Sequence, residues 1–222
     1  MKKTVIITGC NGSLGYELAK RLNNDQFSLI LHSRKKSKKL INLKNKNNSI
    51  RLIYGDLSNN NNIHKIAKSI NIKDFNILIN NSGIYINKPF KKVKEKEILN
   101  VFKSNFFSNI ILLNKLIKQK IKKLLVVNIN SVAGLSGSAN ESIYSASKHA
   151  LKGFYESIEK EPNNELSFMN IYPGAFKSKI TRRRKDFSKL MNAKDIADII
   201  YKNLTEYDSL NLNNIYLKRK KY

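Results

Sequence analysis

The sequence predicts a three-layer, doubly wound α/β fold on a mostly parallel sheet of seven strands, and three observations lead there. Short apolar runs rich in β-branched residues alternate with segments of helical spacing along the whole chain. The first run, Thr4-Val5-Ile6-Ile7-Thr8, is continuous rather than alternating, the pattern of a strand covered on both faces. That run also empties at Gly9 into a glycine-bearing turn directly before a helix.

The elements follow in order. After the strand at 4–8, residues 14–22 read as a helix, with Leu14, Leu18, Ala19 and Leu22 on one side. A second strand at 27–32 leads to a basic helix at 34–43, and a third at 50–54 leads to a helix at 61–70. The fourth, at 75–79, is stopped by Asn80-Asn81-Ser82-Gly83 and followed by one long helix over 94–118. A fifth strand at 124–129 precedes a helix at 144–161, whose packing side is Leu151, Phe154 and Ile158 and which Pro162 ends. A sixth strand at 166–171, a helix at 193–204 and a short seventh strand at 213–217 complete the series.

At 222 residues and 41% hydrophobic, the chain can bury a core without disulfides or structural metals, and residues 1–222 read as a single domain. Lys and Arg total 42 against 16 Asp and Glu, a formal charge of +26. Lys supplies 35 of the 42, beside 31 Asn and 28 Ile, a joint enrichment that an AT-rich coding sequence produces whatever the function. Arg, whose planar fork suits bidentate base contacts, is scarce, so nucleic acid is not expected as a partner. Cys10 is the lone cysteine, which excludes an intrachain disulfide and a thiol metal site. No apolar stretch approaches a membrane span and the N-terminal run is too short for a secretory leader, so the expected address is cytoplasmic.

The turn Thr8-Gly9-Cys10-Asn11-Gly12-Ser13-Leu14-Gly15 lets backbone approach a pyrophosphate, and the helix start aims N–H groups at it. This makes the fold one of the Rossmann dinucleotide-binding type. Strand two ends at His32-Ser33-Arg34 with no acid at its tip. A carboxylate there would hold the ribose hydroxyls of NAD, whereas the Ser33 hydroxyl and Arg34 guanidinium suit a 2'-phosphate, so NADP is the expected cofactor and NAD the alternative. Asp56, before Leu57, is placed to accept the adenine amino group or to cap the next helix. Asn81, Ser82 and Gly83 lie at the same sheet edge, where polar side chains tie loops and a glycine admits a ribose.

Strand five ends at Asn128-Ile129-Asn130-Ser131, and thirteen residues later Tyr144-Ser145-Ala146-Ser147-Lys148 opens a helix. Tyr144 and Lys148 share a helix face. A phenol with a pKa near 10 is a poor acid at neutral pH, and an adjacent ammonium is expected to lower it. Such a tyrosine can protonate a carbonyl oxygen, with Ser131 donating to that oxygen and Lys148 gripping ribose. Taken alone, a packing ring beside a solvated amine is the ordinary reading; the strand-end serine and the dinucleotide turn reverse it.

Together these segments resemble the classical short-chain dehydrogenase/reductase family over nearly the whole length. Residues 8–15 are similar to its cofactor turn, 80–83 to its Asn-Asn-Ala-Gly segment, and Ser131, Tyr144 and Lys148 to its catalytic trio. The resemblance implies that Asn105 is the fourth catalytic residue, helping to hold a relay water behind the lysine. It further implies that Pro173 and Gly174 contact the nicotinamide side and that Ser178 lies near the carboxamide. Ser13 at the turn's middle glycine and Ser82 for alanine depart from the pattern. A Gly-rich tail after Ile215 is missing, so a homodimer through the long central helices is expected rather than the tetramer.

The implied activity is NADP-dependent interconversion of a ketone or 3-oxo group and a secondary alcohol. Ala133, Leu135, Ile143 and Phe176 are candidate substrate walls. The run Thr181-Arg182-Arg183-Arg184-Lys185, in a short lid segment, steers cofactor phosphate or a carrier-linked or coenzyme A acyl thioester, or is simply solvated. A 3-oxoacyl thioester reductase is therefore one alternative, and a non-catalytic NADP-binding regulator or scaffold the other.

Overall fold

The computed structural model describes residues 2–70, 75–119, 123–162, 166–206 and 212–220. Strand and helix alternate: β1 (Lys3–Ile7), α1 (Ser13–Arg21), β2 (Phe27–Ser33), α2 (Lys38–Asn45), β3 (Ile50–Tyr54), α3 (Asn60–Ser69) and β4 (Phe75–Asn80) make the first half. Then come α4 (Glu95–Phe102), α5 (Ser108–Ile117), β5 (Leu124–Ile129), α6 (Ser142–Ile158), β6 (Leu166–Pro173), α7 (Ala193–Thr205) and β7 (Asn214–Leu217). The seven strands form one sheet in the order β3-β2-β1-β4-β5-β6-β7, and each pairing is parallel. The predicted Rossmann-type fold is the one observed.

Because side chains alternate across a strand, β1 feeds two cores. Val5 and Ile7 pack with Leu14, Leu18, Leu40, Ile196 and Ile200 on the face covered by α1, α2 and α7. Ile6 turns to the other face and joins Ile63, Ile66, Leu112, Leu116, Leu151 and Tyr155 from α3, α5 and α6. The register brings strand ends level: Ile7 stands opposite Leu31 and Ile79, and Ile79 opposite Val127. Strand order reverses where β1 lies between β2 and β4, which opens a crevice at their carboxyl ends.

Two predicted helices differ in detail. The helix expected over 94–118 is interrupted by a wider π-type turn at Lys103–Phe107 that separates α4 from α5. Side chains stabilise it: the Ser108 hydroxyl donates to the Ser104 carbonyl at 2.7 Å and the Asn109 amide to the Asn105 carbonyl at 2.6 Å. The helix expected from 34 begins at Lys38, because Ser33 Oγ donates to the Lys35 carbonyl at 2.7 Å and holds residues 33–35 as a turn.

Among the described residues, no helix is long and apolar enough to cross a membrane.

Candidate active site

The glycine turn is built from the strand ends inward. Gly9 has φ +70°, a left-handed conformation that glycine adopts without a Cβ penalty. Behind the turn, Thr8 Oγ1 accepts from the backbone N–H groups of Asn81 and Ser82 at 3.0 and 2.9 Å. The Asn81 amide donates to the Thr8 carbonyl at 2.9 Å and to that of Gly9 at 3.3 Å. The imidazole of His32 accepts from the Gly9 N–H at Nδ1 and sits 2.9 Å from the Gly55 carbonyl at Nε2. Burial lowers the pKa of His32 and favours the neutral ring this pair of bonds requires.

No side chain caps α1 at Gly12, so the helix start faces the crevice with its backbone dipole uncompensated. A Cβ on Gly15 would lie 2.6 Å from both the Gly9 carbonyl and the Asn81 amide nitrogen. The close backbone approach that a pyrophosphate site needs is therefore present.

The cleft over this turn has a volume of about 400 Å³. One end is walled by Ser33, Arg34, Lys35 and Asp56, its floor by the turn, and its other end by Ser82, Gly83, Ile84 and Ser104. Asp56 neither caps α3, whose N-cap is Asn59, nor lacks partners: its Oδ1 accepts from the N–H and hydroxyl of Ser58 at 2.9 and 2.8 Å.

At the carboxyl end of β5, the Ser131 hydroxyl accepts from the Ala133 N–H at 3.1 Å and lies near enough to the phenol of Tyr144 to favour its ionised form. One helical turn on, the buried Lys148 donates from Nζ to the Ile129 carbonyl at 3.0 Å. Burial pushes the Tyr144 phenol up, the Ser131 hydroxyl pulls it down, and the charge of Glu141 raises it again. The expectation that Lys148 lowers this phenol is corrected: its ammonium is directed at Ile129, and burial brings it down to about 8. Asn105, fully buried, clasps the backbone of Ile84 in both directions, accepting from its N–H at 2.7 Å and donating to its carbonyl at 2.9 Å. The same amide donates to Ser147 Oγ at 3.1 Å, and Ser147 donates to the Tyr144 carbonyl at 2.7 Å. The strand-four loop, the π-turn and α6 are thus fastened together beside Tyr144.

Residues 3–189 match the family model described as short chain dehydrogenase. The chain belongs to the short-chain dehydrogenase family. A 3-oxoacyl-acyl-carrier-protein reductase from Buchnera aphidicola is 34% identical over 192 residues, covering 84% of this chain and 78% of that one. A diacetyl reductase of the (S)-acetoin-forming kind from Staphylococcus epidermidis is 29% identical over 210 residues, covering 89% and 81%. A solved short-chain dehydrogenase/reductase from Vibrio parahaemolyticus superposes with a TM-score of 0.86 at 25% identity, covering 98% of this chain and all of its own. Family membership makes the protein an NAD(P)-dependent oxidoreductase acting on a small-molecule carbonyl or alcohol.

In this short-chain dehydrogenase the cleft is lined by Gly9, Asn11, Gly12, Ser13, Leu14, Ser33, Arg34, Asp56, Leu57, Asn81, Ser82, Gly83 and Ser178 of the expected cofactor residues. Thr8 and Gly15 support the turn from behind. Tyr144, Lys148, Pro173 and Gly174 lie outside the cleft walls. The Gly174 N–H is bonded to the Leu217 carbonyl at 2.8 Å and extends the β6–β7 ladder. Of the expected substrate walls, Phe176 lines the cleft over the glycine turn instead, Ala133 and Ile143 are buried, and Leu135 is exposed. The sequence reading missed His32, Lys35, Ser58, Ile84 and Ser104 on the cleft. Each is one position from a residue named above, so extending each motif by a residue finds them.

Proposed function

We propose that the protein interconverts a ketone, including the ketone of a 3-oxo compound, and the corresponding secondary alcohol, with NADP as the preferred cofactor. The observation that carries this reading is the grouping of the Ser131 hydroxyl with the Tyr144 phenol, whose pKa it lowers, and of Lys148 one turn away, at the sheet edge beside the cleft over the glycine turn. When bound, the nicotinamide supplies or takes the hydride. Tyr144 delivers the proton to the carbonyl oxygen, Ser131 orients that oxygen, and Lys148 grips the ribose hydroxyls and replenishes Tyr144's proton. Asn105 acts as a positioning residue that keeps Ile84 and the Tyr144–Ser147 turn in place, beside a relay water held behind Lys148.

NADP is favoured because Arg34 and Lys35, both exposed, face the cleft at the tip of β2, whose own sequence carries no acid, the nearby Asp56 coming from the end of β3. Ser33 contributes by shaping that turn. A second reading, reduction of a carrier-linked 3-oxoacyl thioester, is supported by the exposed cations Arg182, Arg183 and Lys185 near the cleft and by the likeness to the Buchnera reductase. Exposed Leu99 and Phe107 on the central helices support a homodimer through that face.

The test is NADPH oxidation measured against diacetyl, simple ketones and 3-oxoacyl thioesters, with NADH in parallel. Turnover that needs Tyr144 and prefers NADPH supports the reading. Tight NADPH binding without turnover across the panel would make the protein a cofactor-binding regulator instead.

A further inference from the structure

The loop after β4 and the loop before α6 meet beside Tyr144 through Tyr85 and Glu141. The ring of Tyr85 stands edge-on to that of Tyr144, with centroids 5.0 Å apart and planes at 79°. Its hydroxyl donates to Glu141 Oε1 at 2.5 Å, and the Asn87 amide reaches the same Tyr85 oxygen at 3.2 Å. The loops are also joined by the Lys88 N–H on the Asn140 carbonyl at 2.6 Å. Glu141 lies three residues before Tyr144, and its charge acts on the phenol of the proposed acid.

Several described carboxylates stand outside the salt bridges, and what sets Glu141 apart among them is its tie through Tyr85 to the ring of Tyr144. The chain has 42 Lys and Arg for 16 Asp and Glu, yet among the described residues no cation lies within salt-bridge distance of this carboxylate. Lys88, in the facing loop, is taken by Glu97 at 2.8 Å. Arg184, whose charge reaches both Tyr85 and Glu141, is committed to Asp186 by bonds of 2.9 and 3.2 Å, and Asp186 also holds Arg219 at 3.0 Å. The neutral donors Tyr85 and Asn87 fix the carboxylate without neutralising it.

A negative charge here opposes the chemistry, because it raises the phenol of Tyr144. An ammonium placed against Glu141 removes that opposition while it gains an ion pair in a half-buried site. We infer that Glu141, fixed by Tyr85, is a specificity-determining residue that selects ketones and alcohols carrying an ammonium group one or two carbons from the reacting carbon. This rests on the dehydrogenase reading of Tyr144 and names the substrate class for that same site. Substrate charge and proton transfer are then coupled: the bound cation lowers the phenol that has to give up or take the proton. Acyl thioesters, which offer no cation there, leave the carboxylate uncompensated, and carboxylate-bearing substrates are repelled.

The test follows NADP reduction by the whole protein with three alcohols of similar size: 1-amino-2-propanol, 2-butanol and the anion 3-hydroxybutyrate. The parent is expected to favour the amino alcohol over 2-butanol by about tenfold or more in kcat/KM. Its apparent pKa for oxidation is expected to be lower with the amino alcohol. Glu141→Gln keeps the side-chain shape, and it should erase both differences, while Glu141→Asp retains part of each. An unchanged amino-to-neutral ratio in Glu141→Gln, or a parent that favours 2-butanol or the anion, overturns the inference and leaves the dehydrogenase reading standing. Failure to oxidise any of the three or to reduce any ketone, with NADPH still bound, overturns that reading and this inference together.

Discussion

Asn81 and Thr8 are bound twice over, backbone N–H to Oγ1 and side-chain amide to carbonyl, across the junction of β4 with β1. The pair locks the two strand ends on which the nucleotide turn rests, and Gly15 packs into the space between Asn81 and the Gly9 carbonyl. Gly15→Ala puts a methyl 2.6 Å from both groups, neither of which can yield without shifting the turn. We expect a stability loss of about 1–3 kcal/mol and at least about a tenfold loss of NADPH affinity. Denaturant unfolding and fluorescence titration measure the two, and a variant that binds NADPH as the parent does would refute the tight-turn argument.

Tyr144 touches Ser131 and the ring of Tyr85, and it lies outside the nucleotide cleft. Its loss should therefore separate turnover from binding. Tyr144→Phe keeps the ring contact with Tyr85 and removes the proton, so kcat should fall by roughly 10²- to 10⁴-fold, with the NADPH dissociation constant little changed. Stopped-flow turnover with the best substrate of the panel, alongside equilibrium titration, reads both quantities. Undiminished kcat sinks the proposed acid.

Arg34 is exposed and faces the cleft at the tip of β2, with Lys35 beside it. A charge-assisted hydrogen bond contributes about 1.5–3 kcal/mol, so Arg34→Ala should weaken NADPH about 10- to 100-fold and leave NADH within a small factor. The ratio of the two dissociation constants is the readout, because a general disturbance of the turn moves both. Equal loss for NADPH and NADH would remove the argument for NADP.

The strand–helix order was legible because each strand is a short apolar run whose burial on both faces needs no alternation, as the β1 sequence shows with Val5 and Ile7 on one face and Ile6 on the other. Ser131, Tyr144 and Lys148 were legible because they stand at fixed distances in sequence on a strand end and a helix face. The π-turn was not, since the side-chain bonds of Ser108 and Asn109 that stabilise it look like ordinary helix positions in the sequence. Tyr85 and Glu141 lie 56 residues apart in loops with no motif, and only the fold brings their hydroxyl and carboxylate together. The direction of the Lys148 amine was missed for a related reason: helical spacing places it on the face of Tyr144, whereas the Ile129 carbonyl that captures it belongs to another element.

That capture makes Lys148 a reporter of its own burial. The folded amine loses its proton near pH 8, whereas its ordinary value is 10.5. Between those values the unfolded chain binds more protons than the folded one, so stability due to this group rises with pH across the window and is lowest below it. Lys148→Met removes the buried charge together with the bond to Ile129, whose loss is independent of pH. The stability of Lys148→Met relative to the parent should therefore decline by about 2–3 kcal/mol between pH 7 and pH 10, without added nucleotide. Urea unfolding of both proteins at the two pH values measures it. Groups that titrate alike in parent and variant cancel in the difference. A difference that stays constant with pH would mean that the amine is solvated, and the hydrogen bond to Ile129 would then be no more than a surface contact.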